Sequence, residues 1–105
     1  MKSTLTSMQE SQKSSNFIFE KEVGVDESMK EFAKMTILLA FDTYPNPEND
    51  WDKCLLVSGK FEEKYGFRWC SSFIRQGDCC MWYNDYYMKI IYKDYIIKIG
   101  KVPKN

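Results

Sequence analysis

Apolar residues recur at helical spacing in the segment that follows Gly24. From Asp26 onward they stand three and four positions apart, at Met29, Phe32, Ala33, Thr36, Ile37, Ala40 and Tyr44. Asp26 is a suitable N-terminal cap for this helix because its carboxylate can accept a hydrogen bond from a free backbone N–H group. We expect the helix to end before Pro45, since proline disfavours helical geometry in the residue that precedes it.

A second amphipathic segment follows a loop that contains Pro45 and Pro47. It predicts a helix that begins at Asn49 or Asp50 and has an apolar face made of Trp51, Cys54, Leu55, Ser58, Phe61 and Tyr65. Gly66 stands just past the last turn, where a glycine cap is favoured.

The hydrophobic period is two in the remaining apolar segments, which predicts β strands. One strand precedes the helices, at Phe17–Val23, and four follow them, at Arg68–Arg75, Cys79–Tyr83, Tyr86–Tyr92 and Tyr95–Ile99. The intervening loops are too short for crossover helices, so the strands are predicted to be antiparallel. The fold class is therefore α+β, with the order β-α-α-β-β-β-β and two helices packed on an antiparallel sheet.

The chain has 105 residues, which is enough for one domain. Residues 1–16 are polar and show no periodicity, so we expect a flexible tail followed by one domain at residues 17–105. The start of the chain does not resemble a secretory signal, and the most apolar run, Met35–Phe41, is too short to cross a bilayer. We therefore expect a cytoplasmic protein that does not associate with membranes.

Charge and residue usage exclude several functional classes. Fifteen basic and fifteen acidic residues give a net charge of zero, which argues against nucleic-acid binding driven by counterion release. The chain contains no histidine, so catalytic and zinc-site schemes that need imidazole are excluded. Its four cysteines are separated by sixteen, nine and one positions, without a Cys-x-x-Cys pair. We expect neither an enzyme nor a metal or other cofactor.

Two segments carry a resemblance to a known family. Val25-Asp26-Glu27-Ser28-Met29 is similar to Met-Ser-Glu-Glu-Met, and Lys60-Phe61-Glu62-Glu63-Lys64-Tyr65, followed by Trp69, is similar to Glu-Phe-Asp-Lys-Lys-Tyr and its later Trp. Both patterns are those of the eight-kilodalton cytoplasmic dynein light chain family. The resemblance covers Phe17 to Lys101 and runs without a gap from Trp69 onward.

This resemblance implies a non-catalytic light chain of a dynein motor complex. Members of the family are homodimers in which one strand of each chain joins the partner's sheet. Each dimer has two grooves where an extended peptide is added as a β strand to that exchanged strand. The implied partners are a dynein intermediate chain or other proteins with short linear motifs. The implied location is the microtubule cytoskeleton of the cytoplasm, with the axoneme as a second possibility.

Carried over by position, the exchanged strand is Gly77–Tyr83. The residues implied to form the peptide groove are Asp50, Trp51, Arg75, Gly77, Cys79, Met81, Trp82, Tyr83, Ile90 and Tyr92. Those implied to lie in the dimer interface are Trp69, Cys70, Ser71, Ser72 and Cys80.

The chain departs from the family pattern at these same positions. Asp50-Trp51 replaces a Glu-Lys pair at the start of the second helix, Trp82 replaces a threonine, and Cys70 replaces a histidine. The departures predict an altered peptide specificity. One alternative concerns the two tryptophans, since Trp51 and Trp82 can also be core residues. Two others concern the function of the chain. It can be a permanently incorporated structural subunit without exchangeable peptides, or a thiol-based sensor, with Cys79-Cys80 as the reactive pair, or an enzyme.

Overall fold

The computed structural model describes residues 16–75 and 85–102, and the description that follows concerns those residues. In chain order the elements are strand β1 (Ile18–Val23), helix α1 (Glu27–Thr43), a short 3-10 turn (Pro47–Asn49), helix α2 (Asp50–Tyr65), and strands β2 (Trp69–Ile74), β3 (Tyr87–Tyr92) and β4 (Tyr95–Lys101). The predicted strand Cys79–Tyr83 lies outside the described residues, as does the predicted tail except for its last residue.

Both helices begin and end where the sequence predicts. At the start of α1, an Asp26 carboxylate oxygen accepts a hydrogen bond from the Met29 N–H at 2.8 Å. At the end of α2, Gly66 adopts φ = 83°, which favours glycine, and its N–H donates to the Glu62 carbonyl at 2.9 Å. Neither described helix combines the length and the apolar character that crossing a bilayer requires.

The strands form one antiparallel sheet with the order β1-β3-β4-β2. Strands β3 and β4 are joined by the tight turn Lys93-Asp94, and β2 pairs along its whole length with β4, from Trp69 opposite Lys101 to Ile74 opposite Ile96. Among the described strands, β1 and β2 are therefore the two edges of the sheet.

The hydrophobic core lies between the two helices and one face of the sheet. The fully buried aliphatic and aromatic side chains there come from both helices and from the two central strands: Ala33, Ile37, Ala40, Val57, Phe61, Met88, Ile90, Ile97 and Ile99. The predicted apolar stripe of α1 is confirmed, since its buried residues are Met29, Ala33, Thr36, Ile37 and Ala40.

The predicted apolar face of α2 is wrong at two positions. Trp51 is 72% exposed and Leu55 is 54% exposed, whereas Lys53 and Val57 are completely buried. The buried stripe of the helix therefore passes through Lys53, Val57 and Phe61. A stripe with lysine in it is possible because the charged end of Lys53 has partners inside the protein, as described below.

Candidate functional site

A cleft of about 490 Å³ opens where the end of β2 approaches the start of α2 and the β3–β4 turn. Its lining combines two apolar side chains with three charged ones: Phe73, Ile74, Asp50, Arg75 and Asp94. The cleft therefore lies directly beside the outer edge strand of the sheet, and it presents two carboxylates and one guanidinium.

Asp50, one of the residues that line the cleft, belongs to a buried polar network centred on Lys53. The Lys53 ammonium donates to the Asn46 carbonyl oxygen at 2.8 Å and to the Asp50 Oδ1 at 2.7 Å. It also stands 5.2 Å from the ring centroid of Phe41 and 5.8 Å from that of Tyr95, within the range of cation–π attraction. These contacts satisfy the buried charge and tie α2 to the loop that precedes it.

Tyr95 completes the network from strand β4. Its hydroxyl donates to the same Asp50 Oδ1 at 2.8 Å. Burial, and after it the hydrogen bond and charge of Asp50, raise the pKa of the Tyr95 phenol to about 12, so the phenol stays a hydrogen-bond donor at neutral pH. Asp50 Oδ1 thus accepts two strong hydrogen bonds, which fix the orientation of the carboxylate.

The second oxygen of Asp50 faces the charged side of the cleft. Its Oδ2 lies 3.9 Å from the Arg75 Nε, a separation that allows attraction but exceeds hydrogen-bond length. The Arg75 side chain is half exposed, and the Asp50 side chain is mostly covered. The pair is therefore a loose ion pair that solvent and ligands can reach.

The sheet face that points away from the helices is the second notable surface, here called the open face. Along it, Ile18, Ile91, Ile96 and Ile74 stand opposite one another in register across β1, β3, β4 and β2. We call this set the isoleucine row. Ile18 is 58% exposed and the other three are half-buried. The row is an apolar band that spans the width of the described sheet.

The predicted groove residues do not all lie together. Asp50 and Arg75 line the cleft, and Trp51 projects into solvent at the start of α2. Ile90 and Tyr92 lie instead in the core on the helix side of the sheet, where Tyr92 stacks on Phe17 with ring centroids 4.2 Å apart. The other predicted groove residues are outside the described part of the chain: Gly77, Cys79, Met81, Trp82 and Tyr83.

The predicted interface residues of β2 alternate between the two faces of the sheet. Trp69 and Ser71 point toward the helices, where the Ser71 hydroxyl donates to the Cys54 carbonyl at 2.8 Å. Cys70 is exposed, and it stands opposite Gly100, on the same side as the isoleucine row. Ser72 shares that side, and Cys80 is outside the described residues.

The two described thiols have different surroundings. Burial raises the pKa of the Cys54 thiol to about 11, against the opposing effect of a hydrogen bond from the Phe73 backbone. A thiol with such a pKa is almost entirely protonated at neutral pH and reacts slowly. Within residues 16–75 and 85–102, no group of three or more cysteine or acidic side chains is arranged to hold a metal ion.

Sequence reasoning missed Lys53, Tyr95 and Asp94 as parts of the site. A signal for Lys53 was available, because it stands three positions after Asp50, four before Val57 and eight before Phe61. That spacing places a lysine in the buried stripe, with an acidic partner one turn earlier. Tyr95 and Asp94 gave no such signal, since their approach to α2 depends on the pairing of β4 with β2.

Comparison with solved structures identifies the architecture. The dynein light chain-like domain of Fasciola hepatica calcium binding protein FhCaBP2 superposes with a TM-score of 0.75 at 11% sequence identity, over 85% of this chain and 94% of that one. The chain has the dynein light chain-like fold. A native structure of the same domain gives a TM-score of 0.73, again at 11% identity, over 83% of this chain and 91% of that one.

The sequence itself matches no protein-family model and no curated protein. The dynein light chain-like fold is thus preserved at 11% identity. This level of similarity establishes the arrangement of the helices and strands, while the side chains of the site have to be read from this chain alone.

Proposed function

We propose that this chain is a non-catalytic light chain of a dynein motor complex, a homodimer that adds extended partner peptides to its sheet as β strands. The observation that carries the proposal is the outer edge of β2, which pairs with β4 on one side and with no described strand on the other. Such an edge offers backbone N–H and C=O groups to an incoming strand. The proposed setting is the microtubule cytoskeleton, and a dynein intermediate chain is the first candidate partner.

The isoleucine row supports the homodimer. An apolar band on a face that no described helix covers is unfavourable in water, and a second copy of the same sheet face would bury it. A domain of about 100 residues buries only about 60–70% of its unfolded surface, so the additional burial would also add to a thin margin of stability. Cys70 and Ser72 lie on this same face.

Sedimentation velocity over a range of protomer concentrations tests the homodimer. We expect Ile96→Lys, in the middle of the isoleucine row, to convert the dimer to a monomer while the circular dichroism spectrum is kept. The matched control is Met35→Lys, which makes a similar change at a side chain on α1 that is 65% exposed. A wild-type chain that stays monomeric at high micromolar concentration, or a dimer that Ile96→Lys leaves intact, would show that this face is not the interface.

Strand addition is tested by selecting peptides from a random library displayed on phage, with the full-length chain as bait. A selected peptide is then resynthesised with N-methyl groups at single backbone positions. In strand addition, methylation at alternate positions abolishes binding and methylation at the intervening ones is tolerated, because alternate N–H groups face the protein. Failure to select any peptide, or indifference to methylation, would contradict this part of the proposal.

The altered specificity has a separate test. In the family that the chain resembles, the Glu-Lys pair holds the favoured glutamine of target peptides, and Trp51 replaces its lysine here. A Gln-Thr-containing peptide of a dynein intermediate chain is therefore expected to bind this chain much more weakly than it binds a standard member of the family. Calorimetric titration of both proteins with the same peptide measures the difference. Equal affinity would mean that the replacement does not change what the groove recognises.

Exposed apolar residues on α2 favour a second candidate function. Trp51 and Leu55 stand one turn apart, are both more than half exposed, and together present apolar surface that a partner protein could cover. The second candidate is a permanently incorporated structural subunit of a dynein complex, of the axonemal kind. In a competition assay on the isolated complex, an excess of selected peptide displaces an exchangeable ligand but leaves a permanent subunit and its partner together.

A further inference from the structure

Three observations on the cleft beside β2 point to the chemistry of its occupant. The first is the fixed orientation of Asp50. Its Oδ1 is occupied by hydrogen bonds from the Lys53 ammonium at 2.7 Å and the Tyr95 hydroxyl at 2.8 Å, so Oδ2 is the oxygen left to interact with groups in the cleft. Lys53 is completely buried, which makes this orientation part of the folded structure rather than a surface rotamer.

The second observation is that the chain already places a cation of its own beside this oxygen. The Arg75 Nε lies 3.9 Å from Asp50 Oδ2, too far for a hydrogen bond. The Arg75 side chain is 50% exposed, so it can move aside without losing a buried position. Arg75 is therefore a loosely bound cation beside a carboxylate of fixed orientation, and a donor that comes within hydrogen-bond distance of Asp50 Oδ2 can replace it.

The third observation is the remainder of the lining. Asp94 contributes a second carboxylate from the exposed β3–β4 turn, and Phe73 and Ile74 provide apolar surface from β2. The lining itself has two carboxylates and one guanidinium, and the buried Lys53 ammonium behind Asp50 balances the remaining charge, so the cleft offers carboxylate acceptors without an excess of negative charge around them. The aliphatic stem of a lysine or arginine can lie along apolar surface while its charged end reaches an acceptor.

We propose that this cleft binds a lysine or arginine side chain of the partner segment, with Asp50 Oδ2 and the Asp94 carboxylate as acceptors and Arg75 as the competing cation that the ligand displaces. This inference rests on the proposed addition of a partner segment as a strand at the β2 side of the sheet, beside the cleft. Such a segment runs past the cleft, and one of its side chains enters beside Asp50. Lys53 and Tyr95 act as positioning residues, since they touch Asp50 and not the ligand.

The experiment uses the peptides selected on the full-length chain. We expect the enriched sequences to carry lysine or arginine at one common position. Replacing that residue by methionine should weaken binding about tenfold, as expected for the loss of one charge-assisted hydrogen bond. Asp94→Asn should weaken the parent peptide by a similar factor and should have little further effect on the methionine peptide. Asp50→Asn should behave in the same way, provided that its circular dichroism spectrum is unchanged.

Arg75→Ala gives a result of opposite sign. If Arg75 competes with the ligand, its removal tightens the binding of the basic peptide and leaves the methionine peptide almost unaffected. If Arg75 instead recognises an acidic partner, its removal weakens binding, and the proposal is overturned.

The remaining outcomes separate the two proposals. Two results overturn the proposed binding of a basic side chain in the cleft and leave strand addition unaffected. One is a set of enriched peptides without a common basic residue, and the other is a preference for a basic residue that persists in Asp50→Asn and Asp94→Asn. A library that yields no binding peptide at all overturns strand addition, and it overturns the binding of a basic side chain in the cleft as well.

Discussion

Lys53→Met tests how much the buried polar network contributes to the fold. The substitution keeps an unbranched side chain of similar length but removes the hydrogen bonds to Asn46 and Asp50, at 2.8 and 2.7 Å. Removing one partner of a buried ion pair typically costs about 3–5 kcal/mol, because the other charge is left without compensation. Here the Asp50 side chain is 22% exposed and keeps its hydrogen bond from Tyr95, so water and the phenol compensate in part.

We therefore expect Lys53→Met to lower the free energy of unfolding by about 2–4 kcal/mol, out of a total of about 5–15 kcal/mol for a domain of this kind. The assay is urea unfolding at one fixed protomer concentration, since association of the chain would add to its apparent stability. Lys60→Met on the same helix is the control, and we expect it to change stability by no more than about 0.5 kcal/mol.

A double-mutant cycle with Asp50→Asn identifies the cause. If the loss in Lys53→Met comes from the stranded carboxylate, removing that charge as well should recover about 1–3 kcal/mol relative to the sum of the single changes. Two results refute the reasoning. One is a Lys53→Met protein as stable as the Lys60→Met control, and the other is strict additivity in the cycle, which would mean that Lys53 and Asp50 are not energetically coupled.

Three further predictions concern other parts of the molecule. Gly59→Ala should stabilise the protein by up to about 1 kcal/mol, because an added Cβ at this helical position meets nothing within 4 Å. Gly24→Ala should destabilise it, since φ there is +66° and the Cβ would overlap the Asp85 carbonyl. Urea unfolding compares the two variants, and equal effects would contradict the argument. Alkylation at pH 8, followed by mass spectrometry, should label exposed Cys70 before half-buried Cys54, whose thiol pKa is raised. Self-association should slow the labelling of Cys70 as the protein concentration rises, and labelling that does not depend on concentration would count against an interface on the open face. The pKa of Tyr95 is raised from 10.0 to about 12, so the unfolded chain releases this proton first. The contribution of Tyr95 to stability is therefore fully present below pH 10 and is lost between pH 10 and 12. A Tyr95→Phe protein should show a smaller fall in stability over that interval in thermal unfolding, and an identical pH profile would refute the assignment.

Local sequence signals were sufficient for the helices and strands of the described residues and for the fold class. The cap at Asp26, the proline after Tyr44 and the glycine after Tyr65 each act within one helical turn, so the sequence places the helix ends correctly. The change of hydrophobic period after Gly66 likewise predicts the strands, because alternation along a strand depends only on neighbouring positions. The antiparallel β-α-α-β-β-β-β order agrees with the dynein light chain-like fold of the structural neighbours.

The face that α2 buries was not determined by hydrophobicity alone. Trp51 and Leu55 are more apolar than Lys53, yet Lys53 is the buried residue. Its burial depends on Asn46, Asp50 and the aromatic rings of Phe41 and Tyr95, and of these only Asp50 belongs to α2. A ranking by hydrophobicity alone assigns lysine to solvent. The spacing of Lys53 with Val57 and Phe61 was the local signal for its burial, but the partners outside α2 that stabilise the buried charge are not visible in the pattern along the helix.

For the described residues, the sequence by itself determined which segments are helices and strands and that the strands are antiparallel. It also showed that no imidazole side chain is present. Only the tertiary structure decided the pairing of β2 with β4, the alignment of the isoleucine row and the meeting of Asp50, Arg75 and Asp94 at one cleft. The physical reason is the range of the interactions involved. Capping and periodicity act between residues within about four positions of one another, whereas sheet order and the contents of a cleft depend on residues that are tens of positions apart.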